Sequence, residues 1–351
     1  MTNNIKFTKA INIALTEILS SNKKSSCIGL GINDPKRIFN TTENLLEKFG
    51  DKRIIEPPTS ENALTGIGFG MALRGYSVCL IHQRFDFSLL SFDQIINTMS
   101  KWKFMFGKSE KNICFLIRLI VGRGWGQGPT HSQSYHSFLS SIPEIQVLYP
   151  YDSNTAYQSV LSGMYSGIPT LLIEHRWLHN SEGKIENKKF ISEWSTKTIC
   201  LREGHSCTMF AYGYMVPEAI KACKILEERD IKVALFTTTN LSNIKLKKIE
   251  ESLSKTNNLT LVECFTSKCS ITNDIALKLL SKEDLRSNLK SFEILSIENG
   301  HESTSYFKNG KRYKNYLDIV NTILKQLNFN PIDFKTLDFH DIPGTWFTGP
   351  F

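Results

Sequence analysis

The apolar residues of the chain fall into short runs whose spacing alternates between that of helices and that of buried strands. Between Ile11 and Leu19 the apolar side chains recur at i, i+3 and i+4, which predicts a helix with one buried face. Residues 112–121, NICFLIRLIV, are apolar on both strand faces and are interrupted only by Arg118. Such a run is typical of a parallel strand that helices cover on both sides.

The same alternation continues along the whole chain. The predicted strands are residues 26–32, 76–82, 112–121, 145–150, 169–175, 207–213, 231–237, 258–263 and 291–297. The predicted helices cover the N-terminal segment, a segment that ends near Gly50, and residues 92–106, 154–167, 216–229, 244–255, 271–280 and 313–327. Strands separated by helices favour parallel pairing through right-handed crossovers.

The alternation is interrupted once, in residues 177–205, which are polar and non-periodic. We therefore predict two α/β domains, each a mainly parallel sheet flanked by helices, over residues 1–190 and 191–330. The tail, residues 331–351, is aromatic and contains glycine, so we expect it to dock on another surface.

Composition narrows the class of protein. The chain has 351 residues, of which 41% are hydrophobic and 22% charged, as in ordinary globular proteins. No segment approaches the roughly 20 apolar residues of a membrane span. The N-terminal residues lack the order of a signal peptide, so the sequence predicts a cytoplasmic protein. The net charge of +8 is spread along the chain without an aromatic and basic motif, which argues against nucleic-acid binding.

The sequence lacks the motifs of several common kinds of site. The 8 cysteines contain no CxxC pair and most lie in apolar runs, which predicts reduced, buried thiols and neither disulfides nor a zinc site. There is no Walker P-loop, no GxSxG elbow and no HExxH motif, and neither glycine cluster has the dinucleotide-binding spacing.

Ligands of α/β proteins bind beyond the carboxyl ends of the strands, which selects the loops 56–66, 82–91 and 122–133. Their side chains with chemical functions are Glu61 in the first, His82, Gln83, Arg84, Phe85 and Phe87 in the second, and Arg123 and His131 in the third. A carboxylate, aromatic rings and a histidine on one edge favour acid–base chemistry around a flat heterocycle. Each also has an ordinary interpretation: an acid at a helix start, core phenylalanines, and a loop histidine.

Residues 49–102 carry a more specific pattern. Gly50-Asp51-Lys52-Arg53, Ser60-Glu61, the glycines from Gly66 to Gly70, and the run DQIIN at 93–97 occur in the order and spacing of a known family, and THSQ at 130–133 follows. The chain resembles the β subunit of the thiamine-diphosphate-dependent 2-oxo acid dehydrogenases (the E1 component) over most of residues 7–280. Transketolase shares the same ancestor, but these motifs are nearer to the dehydrogenase subunit.

The resemblance implies roles for the loop residues. In that family the glutamate at the position of Glu61 hydrogen-bonds the aminopyrimidine of thiamine diphosphate and so helps to activate the cofactor. Phe87 matches the aromatic residue that stacks on the aminopyrimidine, and Gln83 lies at another position of the cofactor pocket. His131 matches the active-site histidine that contacts the substrate. His82, Arg84 and Arg123 are further candidates for substrate binding.

The resemblance also implies a partner. In the family an alpha subunit holds the diphosphate and Mg²⁺ through a GDG motif with a downstream asparagine, and this sequence has no such motif. The resemblance therefore implies that the metal site lies outside this chain, in a heterotetramer of two alpha and two beta subunits. It also implies a 2-oxo acid substrate and, as a candidate acceptor, an acyl-carrier E2 subunit. The sequence departs from the family at residues 262–270 and 297–310, which leaves the nature of the alpha partner and of the acceptor open.

Two alternatives remain open. One is a subunit of a split transketolase-like carboligase acting on ketose phosphates, for which Arg84, Arg123, His82 and His131 would supply phosphate contacts. The other is a non-catalytic paralogue, against which the retained Glu61 argues.

Overall fold

The computed structural model describes residues 4–107, 112–122, 127–186, 189–191, 197–305, 308 and 312–333. These residues form two compact units. The first contains the described residues up to 122 and from 130 to 191, and the second contains residues 127–129 and those from 197 to 333. The predicted tail lies almost entirely outside the described residues, so its docking stays a prediction.

The first unit is built on a six-stranded sheet. Its strands are β2 (Ser25–Gly29), β3 (Ile54–Ile55), β4 (Ser77–His82), β5 (Phe115–Val121), β6 (Gln146–Leu148) and β7 (Thr170–His175). Their order is β3-β2-β4-β5-β7-β6 and all pairs are parallel. A short antiparallel ribbon joins β1 (Ile5–Lys6) to β8 (Glu182–Gly183).

Helices cover both faces of this sheet, as the apolar strands require. They are α1 (Phe7–Ser21), α2 (Leu45–Phe49), α3 (Glu61–Leu73), α4 (Trp102–Phe106), α5 (His136–Ser140) and α6 (Ser153–Tyr165), with 3₁₀ turns at Phe85–Ser91 and Arg176–Leu178 and a π-helical segment at Gln94–Met99. Gly68 of α3 lies against Phe115, and Gly163 of α6 lies against Leu116. Because neighbouring residues of a strand point to opposite faces, α3 and α6 cover opposite sides of β5.

The second unit has a five-stranded sheet in the order β13-β12-β10-β11-β9. Its strands are β9 (Ile199–Arg202), β10 (Cys207–Ala211), β11 (Val233–Thr237), β12 (Asn258–Thr266) and β13 (Ser291–Ile297). Its helices are α7 (Met215–Glu227), α8 (Lys247–Thr256), α9 (Ile271–Leu280), α10 (Glu283–Asn288) and α11 (Tyr316–Gln326). The mainly parallel, helix-flanked fold class predicted for both domains is confirmed.

Besides several short elements that were not predicted, such as β3, α5 and α10, the structure differs from the sequence prediction in one long helix and one strand. The helix predicted over residues 92–106 is divided into the π-helical segment and α4. Strand β9 pairs antiparallel with β11 and lies in the segment predicted to be irregular. Its side chains are all half-buried, so it lacks the apolar run that revealed the central strands.

The glycines of α3 give a matched test of helix packing. A Cβ on Gly68 would lie 2.9 Å from a ring carbon of Phe115, whereas nothing lies within 4 Å of a Cβ on Gly70. We expect Gly68→Ala to lower the free energy of unfolding by about 1–3 kcal/mol through overpacking. Gly70→Ala should leave it unchanged or raise it by up to about 1 kcal/mol, because alanine favours a helix. Urea-induced unfolding of both variants measures the difference, and equal effects would contradict this packing.

Candidate functional site

The carboxyl ends of β3, β4 and β5 bring the three predicted loops to one edge of the first sheet. Glu61 is the first residue of α3, directly after Ser60, and is 8% exposed. Within the described part of the chain, no group donates a hydrogen bond to its carboxylate. Its place in the first turn of α3 puts the negative charge at the positive end of the helix dipole. Glu61 is therefore suited to accept a hydrogen bond from a bound molecule.

Phe87 and His131 lie in contact. Their rings meet edge to face, with centroids 5.6 Å apart and planes at 85°. The His131 Nδ1 is 2.9 Å from the hydroxyl of Thr130. Because both rings are half-buried, each keeps part of its surface available to a ligand. The structure thus brings together two of the residues that the sequence selected from different loops.

Asp86 fixes the loop that carries His131. Its Oδ1 accepts hydrogen bonds from the backbone nitrogen of Gln133 at 3.3 Å and from the Gln133 side-chain nitrogen at 2.8 Å. Burial raises the pKa of Asp86, while the bonds from Gln133 and the charge of His131 oppose that rise. Sequence analysis did not select Asp86 or Gln133 as site residues, although both lie inside the loops that it selected.

Gln83 and His82 are turned to the interior of the first unit. The Gln83 Nε2 donates to the carbonyl oxygen of Leu30 at 2.7 Å and so holds the loop after β2. A Cβ on Gly31 would lie 1.9 Å from the same nitrogen, so this approach requires glycine. Burial lowers the pKa of His82 to about 4. His82 is therefore neutral at pH 7 and supplies no positive charge to an anionic substrate.

A buried ion pair lies behind this edge. Arg118 of β5 makes two hydrogen bonds to Glu174 of β7, one of them from Nη2 to Oε2 at 2.8 Å, and both side chains are fully buried. The same Nη2 donates to the hydroxyl of Thr41 at 2.8 Å, which anchors the loop between β2 and α2. Burial acts to lower the pKa of Arg118, but the charge and hydrogen bonds of Glu174 outweigh it and the net pKa is raised.

Further basic residues surround Phe39 in that loop. The guanidinium carbon of Arg176 lies 3.6 Å from the ring centroid of Phe39, and that of Arg84 lies 5.5 Å from it. The ring of His179 lies 6.0 Å away. Sequence analysis selected Arg84 but missed Arg176 and His179. Their signal is a charged run directly after the apolar strand β7, at the edge where ligands bind. Arg123 lies outside the described residues.

The described residues contain no group of three or more His, Cys, Asp or Glu side chains that could hold a metal ion. No helix among them is long and apolar enough to cross a membrane. All 8 cysteines are free thiols, and burial raises the pKa of several of them, including Cys207 and Cys223 to about 12.

The two sheets and the residues on the first sheet edge define a protein of the transketolase class. The chain belongs to the family described as "Transketolase, pyrimidine binding domain", whose model matches residues 3–180. Residues 196–301 match "Transketolase, C-terminal domain".

The most similar relatives that we compared are beta subunits of dehydrogenases. The chain is 29% identical over 257 residues to the mitochondrial pyruvate dehydrogenase E1 component subunit beta of Pisum sativum, covering 72% of this chain and 71% of that protein. It is 29% identical over 245 residues to the acetoin:2,6-dichlorophenolindophenol oxidoreductase subunit beta of Bacillus subtilis, covering 70% and 71%. The resemblance drawn from the motifs is thus confirmed.

A solved structure agrees with the fold. A split-gene transketolase, described as an inactive beta4 tetramer, superimposes with a TM-score of 0.72 and 18% identity over 93% of this chain and 99% of that one. At this identity the likeness concerns the fold alone.

The buried ion pair yields a stability prediction. Glu174→Gln leaves the Arg118 charge buried without its counter-ion, so we expect a loss of about 3–5 kcal/mol in the free energy of unfolding. Thermal and urea-induced unfolding would measure it. The double variant Arg118→Met, Glu174→Gln removes the charge as well and should recover much of that loss. A double variant no more stable than the single one would contradict the charge argument.

Proposed function

We propose that the chain is the beta subunit of a two-chain thiamine-diphosphate enzyme that decarboxylates a 2-oxo acid and passes on the acyl or aldehyde unit. The observation that carries the proposal is Glu61, a buried carboxylate without an internal donor at the start of α3. It lies on the same sheet edge as Phe87 and His131, in a chain of the transketolase pyrimidine-binding family.

The side chains on this edge fit the aminopyrimidine end of thiamine diphosphate. When bound, this cofactor supplies a nucleophilic carbon and an electron sink for decarboxylation. Glu61 would accept a hydrogen bond from a ring nitrogen and hold the proton shared between them, which a dry environment strengthens. Phe87 offers an aromatic surface for stacking. Gln83 would support the cofactor pocket indirectly, because its side chain holds the loop that contains Leu30.

His131 lies next to Phe87 and would contact the substrate. Its edge-to-face contact with that ring and its bond to Thr130 restrict its orientation. Asp86 would keep the loop in place through Gln133. A histidine held in this way can donate a hydrogen bond to a substrate oxygen or exchange a proton with it.

A partner chain would complete the active site. The relatives from Pisum sativum and Bacillus subtilis are each named as a subunit beta. The alpha subunit would hold the diphosphate and Mg²⁺. Exposed apolar side chains support an assembly: Phe104 of α4 is 91% exposed and Phe106 is 64% exposed, and such surfaces mark subunit contacts.

The second candidate is a subunit of a split transketolase-like carboligase acting on ketose phosphates. The observation that favours it is the pair of arginines at Phe39, since a phosphate group requires cationic side chains. Assays of CO₂ release from 2-oxo acids and of ketol transfer from ketose phosphates separate the two functions. Ketol transfer without CO₂ release would contradict the first and establish the second.

The role of Glu61 gives a direct prediction. In the complex with its alpha partner, Glu61→Gln should reduce turnover at least about a hundredfold, because the amide cannot hold the shared proton. The matched control is Glu251→Gln, an exposed position on α8, which should retain full activity. Size-exclusion chromatography should show both complexes intact. Near-normal turnover of Glu61→Gln would exclude the proposed role.

The two-chain proposal predicts a partner with a GDG motif and a downstream asparagine, encoded near this chain. Co-expression should yield a complex that binds thiamine diphosphate in the presence of Mg²⁺, measured by calorimetry. This chain alone should bind it at least tenfold more weakly, because it would supply only the pyrimidine contacts. Equal affinity of the chain alone would contradict a divided cofactor site.

A further inference from the structure

Two loops at the sheet edge of the first unit contact each other at three points. One is the 3₁₀ turn after β4, which begins at Phe85. The other is the segment of residues 130–135, which precedes α5. Three successive residues of the turn contact every second residue of the segment, in the pairs Phe85 with Tyr135, Asp86 with Gln133 and Phe87 with His131. The two loops therefore run in opposite directions with a defined register.

The segment that carries His131 alternates in burial. The side chains on one side of it are buried, and they are Ser132, Ser134 and His136. Those on the other side contact the turn, and they are His131, Gln133 and Tyr135. This period of two is typical of extended backbone, in which neighbouring side chains point to opposite sides. A shift of one residue would exchange the two sets, so specific contacts have to fix the register.

The middle pair supplies hydrogen bonds, which the two ring contacts do not. The Asp86 Oδ1 accepts from the Gln133 backbone nitrogen at 3.3 Å and from the Gln133 Nε2 at 2.8 Å. The Gln133 Oε1 in turn accepts from the Tyr135 hydroxyl at 2.6 Å. Hydrogen bonds weaken steeply when their geometry is lost, whereas aromatic rings attract over a range of offsets. The Asp86–Gln133 contact is therefore the one that fixes the register.

This register determines where His131 lies. Its ring is two residues from Gln133 and meets Phe87, the residue after Asp86, with centroids 5.6 Å apart. Under the proposed function, Phe87 stacks on the cofactor and His131 contacts the substrate. A displacement of about 1 Å at a reacting group can cost about a hundredfold in rate. A change at Asp86 can thus affect turnover without any contact between Asp86 and the substrate.

We propose that Asp86, acting through Gln133, is a positioning residue that holds His131 in place against Phe87. The property that matters is the acceptor oxygen of Asp86 and not its charge, because one oxygen receives both bonds from Gln133. The effect on turnover rests on the proposed function, whereas the contact between the loops does not.

Two variants of Asp86 separate the acceptor from the charge. Asp86→Asn keeps a carbonyl oxygen that can accept both bonds from Gln133, whereas Asp86→Ala has no side-chain acceptor. Both variants remove the negative charge that attracts Arg84 and His131. A difference between the two variants therefore does not arise from the charge.

Hydrogen exchange of the purified chain tests the contact without cofactor or partner. The Gln133 backbone N–H donates to Asp86, so its exchange should be at least about tenfold faster in Asp86→Ala. It should stay within about threefold of the parent rate in Asp86→Asn and in the control Asp51→Ala, which removes an exposed carboxylate of the same unit. Unchanged exchange in Asp86→Ala, or exchange as fast in Asp86→Asn, would overturn the proposal.

Turnover of the co-expressed complex tests the positioning of His131. Asp86→Ala should lower kcat at least about tenfold. The Kd for thiamine diphosphate should change by less than about twofold, because Glu61 and Phe87 keep their places. Asp86→Asn should retain kcat within about threefold of the parent value, since it restores the acceptor. Equal losses of kcat in the two variants, or a loss confined to cofactor binding, would overturn the positioning role.

Gln133→Ala tests the same contact from the other loop, and it serves if Asp86→Ala fails to fold. It should lower kcat at least about fivefold, and the double variant Asp86→Ala, Gln133→Ala should lose less than the product of the two single losses. Independent losses that multiply in full would show that the two residues do not act through each other and would overturn the proposal. A complex without turnover, in a chain whose Gln133 exchange follows the expectation, would instead contradict the proposed function alone.

Discussion

The ion pair of Arg118 and Glu174 is the interaction on which the sheet edge of the first unit depends. Two full charges lie in a fully buried, mainly apolar strand pair, so each would be costly without the other. The pair joins adjacent parallel strands, and the Arg118 fork also reaches Thr41. A loop of irregular conformation is thereby attached to the most buried part of the sheet. Asn12 of α1 adds to this attachment by donating to the carbonyl oxygen of Glu43.

The ion pair also determines the electrostatics of its surroundings. Glu174 is the only carboxylate of β7, and each of its two oxygens accepts a hydrogen bond from Arg118. Burial lowers the pKa of His179, and the positive charges of Arg176, Arg118 and Arg84 lower it further. The carboxylates of Glu61 and Asp86 are also buried in this unit, so acidic and basic side chains lie together near the sheet edge.

The sequence predicts the central strands and long helices of both units, because their apolar runs are set by burial on both faces. It does not predict β9, whose half-buried residues have no clear period, or the π-helical segment, which depends on how residues 94–99 pack. Within the site, loop positions follow from topology, and Phe87 and His131 are found together. Arg118 is visible as a charge in an apolar run, but its partner in β7 is not, because a strand pairing 56 residues apart leaves no local signal. The contacts of Phe39 with Arg84 and Arg176 cannot be predicted from the sequence for the same reason, because these residues are far apart along the chain.

Glu61 and Arg84 are both ionisable side chains with little exposure to solvent, and they carry opposite charges. Both side chains are less than a tenth exposed; no described residue donates a hydrogen bond to the Glu61 carboxylate, and the Arg84 Nη1 has no hydrogen-bond partner. Folding tolerates such groups only if the rest of the unit is stable enough to hold them, as the ion pair and the covered sheet provide. The acceptor at the start of α3 and the donor beyond β4 leave this sheet edge able to bind both a hydrogen-bond donor and a hydrogen-bond acceptor.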